Sequence, residues 1–424
     1  MKPIPIQNFS DEVMFMSAKN RQKAKKRMLR RITYAVYAFL ALAVFALVMI
    51  TAKTSGADKQ AAEPTGAPVP FETKVPEITP APTPVSTPSP TPMPSPTSTP
   101  EPTPEPSLAE QLSLGNRENT LLISACGDCT LGGVYKSTTA DKFKSLADKN
   151  GYGYFMENVK EVFETDDLTV ANLEVVLVSS GTPREGREYI MHGFPEYVNI
   201  LKEGSIEAVT VANNHAKDFN REGLNRTKKN VEEAGVKVCG YESTAIYEVK
   251  GKKIGLLGYT VWDYGFDAMV KEIEALKKET DLVIVSIHGG DEKRYTPTKE
   301  QMEYCRGAVD AGADLVLGHH PHVVNGIETY KGVTIVYSLA NFCFGGNKNP
   351  EDKDTFIFQQ EFLMEEDGSL SAGRINVIPC SISSSSDTND FKPTLLTGKE
   401  AERVMDKIVK YSKDFENPFA GNPE

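Results

Sequence analysis

The chain is poor in several residue types that would mark a function directly. It has one tryptophan, six histidines and six cysteines in 424 residues. Cysteines 126, 129, 239, 305, 343 and 380 are too sparse for a disulfide-built fold. Cys126 and Cys129 form a C-x-x-C, but the context of a following helix that a thioredoxin-like pair uses is weak. The pair therefore reads first as a strand-end thiol and a loop thiol, with redox chemistry as the lesser alternative. No basic stripe lies beyond the first 31 residues and the net charge is −11, which argues against nucleic acid as a partner and against polyanion binding by bulk charge. An anionic substrate would have to be held locally, for example by a metal. The phosphate-loop pattern G-x-x-x-x-G-K-[ST] is absent, which speaks against ATP-driven ligation by this chain.

What is present begins with three segments of contrasting composition. Residues 1–32 are polar and basic and are expected to be a cytoplasmic tail. Residues 33–52, TYAVYAFLALAVFALVMITA, carry no charge and match the roughly 20 apolar residues of a membrane-crossing helix. The basic flank predicts a single-pass anchor in the cell membrane, with the N-terminus cytoplasmic and the C-terminal domain outside. Residues 53–115 form a Pro/Thr/Ser-rich linker: sixteen of the 27 prolines fall between Pro64 and Pro106. Such composition cannot build a core and favours extended polyproline II. At about 3.1 Å per residue the proline-rich stretch reaches at most ~130 Å, a stalk that lifts the following domain off the membrane.

The globular part is expected over residues 116–385, with a helical extension over 386–424. Apolar runs predict strands at 121–125, 168–173, 208–211, 253–259, 282–287 and 314–318. Helical spacing lies between them at 154–163, 195–203, 222–234, 266–278 and 297–310. Gly235 closes the third of these helices, and Pro297 opens the last. The strand runs are continuously apolar rather than alternating. That pattern predicts an α/β fold with a largely parallel sheet covered on both faces. Later runs at 334–339, 355–362 and 374–378 predict added antiparallel strands, and 398–411 a closing helix.

Polar clusters follow five of the predicted strands: Asp128; Asn172 and Glu174; Asn213, Asn214 and His215; His288; and His319, His320 and His322. Ligand sites in α/β folds lie beyond the carboxyl ends of strands. Five of the six histidines occupy such ends and only His192 does not. One such histidine is ordinarily a hydrogen-bonded structural residue; the set points to a site. Carboxylates of Asp128 and Glu174, the amide oxygen of Asn214 and the imidazoles of His288, His320 and His322 make a mixed N/O shell. Such a shell suits Mn, Zn or Fe, as one or two ions. Two ions would activate water and clamp a phosphoryl oxygen. The H-x-H spacing predicts His320 and His322 on one face of an extended segment. His215 is the candidate proton donor to a leaving group.

The motifs GD (127–128), NLE (172–174), ANNH (212–215), HGG-D-E (288–292), GADLVLGHHPHV (312–323) and YSLANF (337–342) resemble the capsule-synthesis CapA, or poly-gamma-glutamate biosynthesis, family. That family in turn resembles the calcineurin-like metallophosphoesterases. The resemblance implies a four-layer αββα sandwich. It implies metal ligation by Asp128, Glu174, Asn214, His288, His320 and His322, and catalysis by His215. Asn172, Asn213, His319, Glu292 and Asn341 are expected to bind substrate or shape loops. The phosphoesterase D-x-H is Asp128-Cys129-Thr130 here, Glu174 replaces an aspartate, and the family's Leu-Gly-Asn-Phe is Leu339-Ala340-Asn341-Phe342. The expected function is a divalent-metal-dependent hydrolase in biosynthesis of a capsule, poly-gamma-glutamate or another cell-envelope polymer. The absent D-x-H histidine motivates an alternative, a non-catalytic component that binds or exports polymer. Expected partners are the membrane through residues 33–52, an anionic envelope polymer, and other capsule-synthesis proteins.

Overall fold

The computed structural model describes residues 119–422. The expected cytoplasmic tail, membrane anchor and linker all lie outside the described residues, and among the described residues no helix is long and apolar enough to cross a membrane. The described part is a mixed α/β fold built on two large sheets.

The first sheet starts with β1 (Thr120–Thr130), β2 (Leu168–Leu173), β3 (Ala208–Thr210) and β4 (Lys237–Cys239), all parallel neighbours in that order. Helices α1 (Thr138–Asn150), α2 (Lys160–Glu164), α3 (Val198–Glu203) and α4 (Asn220–Glu233) fall between these strands. The second sheet takes β5 (Ala245–Val249), β6 (Lys252–Thr260), β7 (Leu282–His288), β8 (Leu315–His319), β9 (Ile327–Tyr330) and β10 (Val333–Val336). Its centre β6-β7-β8-β10 is parallel, with β5 and β9 antiparallel at the edges. Helices α5 (Phe266–Leu276) and α6 (Lys299–Asp310) connect its strands. The chain then returns to the first sheet. There β11 (Asn341–Phe344) runs parallel to β1, while β12 (Asp354–Met364) and β13 (Leu370–Ser381) extend it antiparallel. Helix α7 (Gly398–Ser412) closes the described chain.

The continuous apolar runs have a direct cause. Successive side chains of a strand point to opposite faces, and both faces of each sheet are covered. Leu121, Ile123 and Ala125 of β1, and Leu168 and Val170 of β2, join Ile254 and Leu256 of β6 and Leu282 and Ile284 of β7 in one core between the sheets. The alternate residues Ala171 and Leu173 face outward onto Phe143 of α1 and Leu224 and Val231 of α4. Val283, Val285 and Ile287 of β7 face Met269 and Ile273 of α5 and Cys305 and Ala308 of α6. The layers are therefore helix, sheet, sheet, helix. Val404 and Ile408 of α7 are fully buried at the core between the sheets.

Several local expectations are corrected. The predicted strand 121–125 does not stop at Ala125; β1 bulges between Ala125 and Asp128 and continues to Thr130. The stretch 154–163 is not one helix but a 3-10 turn, Gly153–Phe155, and the short α2. Pro297 lies outside α6, whose N-cap is Thr298; its side chain accepts a bond from the Gln301 N–H, a stronger start signal than proline alone. Helix α1 was not anticipated. Its residues are mostly polar, and it buries only Thr139, Phe143 and Ala147.

Candidate metal centre

The five strand ends converge. Asp128 lies in the bulged end of β1, opposite Asn172 of β2 and Asn341 of β11. His288 ends β7 opposite His319, the last residue of β8. His320 and His322 follow on a bend, not on the extended segment expected from their spacing. Their φ angles are +98° and +58°, a region non-glycine residues rarely adopt and one that costs on the order of 1–3 kcal/mol per residue. That bend brings the two rings to a centroid separation of 5.8 Å, with His320 also 4.9 Å from the His288 ring.

A relay of side-chain amides holds the buried base of the site. Asn213 donates from Nδ2 to Asn172 Oδ1 at 3.0 Å and to the Leu173 carbonyl at 2.9 Å. This fixes the Asn172 amide so that its Nδ2 donates to Asp128 Oδ1 at 2.8 Å and faces His288 Nδ1 at 3.3 Å. With Nδ1 accepting, His288 carries its proton on Nε2, which lies 2.9 Å from Asn214 Oδ1. Asn172 and Asn213 are fully buried, so they position ligands rather than meet a substrate. Asn341 accepts from His322 Nδ1 at 2.8 Å and returns a bond from Nδ2 to the His322 carbonyl at 3.2 Å. That leaves Nε2 of His322 as the free coordinating nitrogen.

The charges are closely balanced. Asp128 Oδ1 lies 3.2 Å from His319 Nδ1, and Asp128 Oδ2 lies 3.2 Å from His322 Nδ1. Burial pushes the Asp128 carboxyl up, but these two imidazoles outweigh it and hold the group well below the usual carboxylate range. Burial, and then the neighbouring Asp128 charge, push Glu174 well above it. Burial lowers His322, yet Glu174 and Asp128 raise it to about 10. His320 is lowered to about 4 by burial and by the His322 charge. His288 is pushed well down, by burial first and then by His320.

The residues fit a divalent ion. Ligand atoms of Glu174, His320 and His322 lie within 4.8 Å of one another. Neither carboxylate oxygen of Glu174, nor Nδ1 of His320, has a hydrogen-bond partner although all three atoms are buried. Unpartnered buried polar atoms of this kind are costly unless a cation meets them. Asp128, Asn214 and His288 surround this trio: His288 Nε2 is 3.5 Å from Glu174 Oε1. Glu292 is exposed on the turn after β7. His192 lies apart in a small three-stranded sheet, its Nε2 bonded to the Val178 carbonyl at 2.8 Å.

His215 follows Asn214 in the chain, and its Nδ1 lies 2.6 Å from Asp218 Oδ2. Asp218 was missed from sequence, although an acid three residues beyond a histidine on a turn is a readable signal. Asp218 is fully buried, accepts from the Met191 N–H at 2.7 Å, and stands 3.7 Å from Arg187 Nε. The lone tryptophan was missed too. Trp262 follows β6, so it marks a sixth strand end, and its ring lies 4.7 Å from that of His320. The C-x-x-C thiols are both fully buried and free. Burial pushes Cys126 up, with Cys129 adding to it, the opposite of what a reactive thiolate needs.

The fold and the site together define an α/β protein with a candidate metal centre of carboxylate and histidine ligands at its strand ends. Residues 122–346 match the family described as bacterial capsule synthesis protein PGA_cap, and the chain belongs to that family. It is 29% identical over 292 residues to the PGA biosynthesis protein CapA of Bacillus subtilis, covering 62% of this chain and 72% of that protein. It is 27% identical over 259 residues to the capsule biosynthesis protein CapA of Bacillus anthracis, covering 54% of this chain and 61% of that one. Among solved structures it is similar to the NAD nucleotidase of Haemophilus influenzae, at 13% identity and a TM-score of 0.38, covering 70% of this chain and 63% of that chain. A likeness that weak carries no part of the reading below.

Proposed function

We propose that this chain is a membrane-anchored, extracytoplasmic hydrolase that depends on a divalent metal and acts on a capsule or cell-envelope polymer of the poly-gamma-glutamate type. The observation that carries the reading is Glu174, a buried carboxylate whose two oxygens accept no hydrogen bond and which sits with His320 and His322 at metal-ligand spacing. Glu174, His320 and His322 would hold such an ion, and it would supply Lewis-acid polarisation of the scissile group. The chain's own residues do the rest. Asn172 and Asn341 orient Asp128, His288 and His322. Asp218 holds the His215 imidazole by Nδ1, so that Nε2 can carry a proton to a departing group. The uncharged segment 33–52 and its basic flank support the anchor and the outward placement.

A second reading, a polymer-binding or export component without hydrolysis, is favoured by two observations. The position of the D-x-H histidine holds Thr130, whose hydroxyl is buried without a partner, and one three-residue ligand group is found among the described residues. Metal analysis of the purified full chain after Mn²⁺ or Zn²⁺ loading, with hydrolysis of a generic phosphodiester and of poly-gamma-glutamate, separates the two. The hydrolase reading expects bound metal and turnover, both lost in His320→Ala. Bound metal with no turnover on either substrate class leaves the binding role, and no bound metal at all sinks the metal centre.

A further inference from the structure

A concavity opens beside the segments that carry the metal centre. Arg184, Lys217, Asn220, Arg221 and Asp263 line a cleft of about 440 Å³. Two of its walls belong to residues adjoining the centre. Lys217 lies two residues beyond His215, and Asp263 follows Trp262, whose ring packs 4.7 Å from His320. The Tyr241 hydroxyl ties these walls together, 3.0 Å from the Asn213 carbonyl and 3.2 Å from Asp263 Oδ2. The loop carrying Arg184 is fastened to the same place. The Arg184 N–H donates to the Asp218 carbonyl at 2.7 Å, Asn220 Nδ2 donates to the Thr182 carbonyl at 3.0 Å, and the Arg187 guanidinium donates to the Asn214 carbonyl. The cleft is thus anchored to the segment that presents His215.

Its charge runs against that of the protein. The chain carries −11 overall, yet the lining holds three cations and one carboxylate. Lys217 lies 3.5 Å from Asp263, Arg221 pairs with Glu242 outside the lining, and Arg184 has no carboxylate ion pair among the described residues. Helix α4 also begins here, at Asn220, and its N-cap Phe219 supplies no side-chain cap. The positive end of a 14-residue helix adds to the cationic wall.

Resting on the polymer-substrate reading above, we propose that this cleft is a carboxylate-binding subsite. It holds the anionic units of the polymer that flank the unit presented to His215 and the metal centre. Arginine side chains suit planar carboxylates bidentately. The single acid in the lining, Asp263, is tolerable beside monoanionic carboxylates and disfavours a compact polyphosphate. Beads of single charge along a flexible chain match an open cleft better than one dense anion.

Trp262 is half exposed between the cleft and the centre, and as the only tryptophan it reports binding directly. The full chain is titrated with oligo-γ-glutamate, with its uncharged amide isostere and with tripolyphosphate, following tryptophan emission. Oligo-γ-glutamate is expected to change the emission, to bind more weakly as salt is raised, and to lose at least about tenfold in affinity in Arg184→Gln/Arg221→Gln. Bound metal per chain and the thermal midpoint should stay as in the native protein. Should the double variant melt early, Lys217→Gln is read in its place with the same expectation. Native affinity in these variants overturns the subsite, as does binding of tripolyphosphate but not oligo-γ-glutamate, or equal binding of the uncharged isostere. Failure of the hydrolase reading looks different: the native chain binds oligo-γ-glutamate normally but shows no metal-dependent turnover.

Discussion

Nδ1 of His215 lies 2.6 Å from Oδ2 of Asp218, and both side chains are buried. A carboxylate at that distance fixes the imidazole tautomer with its proton on Nδ1 and stabilises the imidazolium when Nε2 takes up a second proton. Asp218 is itself held by the Met191 N–H and by Arg187, so the pair is built rather than incidental. Asp218→Asn keeps the shape but presents an amide donor to Nδ1, which favours the wrong tautomer. It should lower turnover by about 10–100-fold with little change in KM, and His215→Ala by about 10²–10⁴-fold. The double variant should be no worse than His215→Ala alone, because the two act as a unit. Additive losses would show that Asp218 acts elsewhere.

Glu174 and His322 should have opposite effects on the stability of the metal-free protein. Glu174 is a buried carboxylate beside Asp128 with no hydrogen-bond donor. Glu174→Gln removes that burden and should raise stability by on the order of 1 kcal/mol, about 2–4 °C in thermal midpoint. His322 lies between the two carboxylates, 3.2 Å from Asp128 and 3.9 Å from Glu174. His322→Ala leaves both uncompensated and should cost about 3 kcal/mol or more. Calorimetry in a chelator at neutral pH checks both signs. A lowered midpoint in Glu174→Gln would mean that the attraction between Glu174 and His322 outweighs the cost of burying the carboxylate.

The pH dependence follows from the same group. His322 is raised to about 10 by Glu174 and Asp128, which outweigh its burial. A raised imidazole stabilises the metal-free fold fully below its unfolded value near 6.5, and that contribution is lost as pH rises through about 10. A metal must displace this proton, so affinity for Mn²⁺ should climb by up to about tenfold per pH unit between about 6.5 and 8.5. Titration calorimetry in buffers of different ionisation enthalpy should find at least one proton released per ion. Affinity that is flat over this range would show that the ion does not use His322.

The sequence exposed the alternation of strands and helices because both faces of each sheet are covered, which makes runs such as 282–287 uniformly apolar. It also exposed the ligand residues, since carboxylates, amides and imidazoles at strand ends stand out against those runs. Three things were hidden for physical reasons. Helix α1 is polar over most of its surface and buries few side chains, so periodicity gave little signal. The bend at His320 and His322 adopts left-handed backbone angles that neither histidine favours, so local preference pointed to an extended segment. The cationic cleft joins residues near positions 184, 220 and 263, and such a grouping exists only after the sheets are assembled.

Gly127 illustrates the same limit in one residue. In the sequence it falls just past the predicted strand 121–125; in the fold it is the point where β1 touches the segment before β11. A Cβ at Gly127 would stand 2.0 Å from the Ala340 carbonyl oxygen and 2.6 Å from that of Leu339. Both are backbone atoms, so no rotamer change relieves the clash. The contact also carries the Asp128 N–H to Ala340 O bond, 2.8 Å, and sets Asp128 opposite Asn341. Those two residues both meet Nδ1 of His322. Gly127→Ala should therefore cost about 3 kcal/mol or more through overpacking and weaken metal binding in whatever protein still folds. Gly265→Ala is the control, since a Cβ there meets nothing within 4 Å and should change stability by less than about 1 kcal/mol. Thermal midpoints and metal content of the two variants, measured side by side, decide it: equal midpoints would mean that β1 and the 339–341 segment can separate without cost to the site.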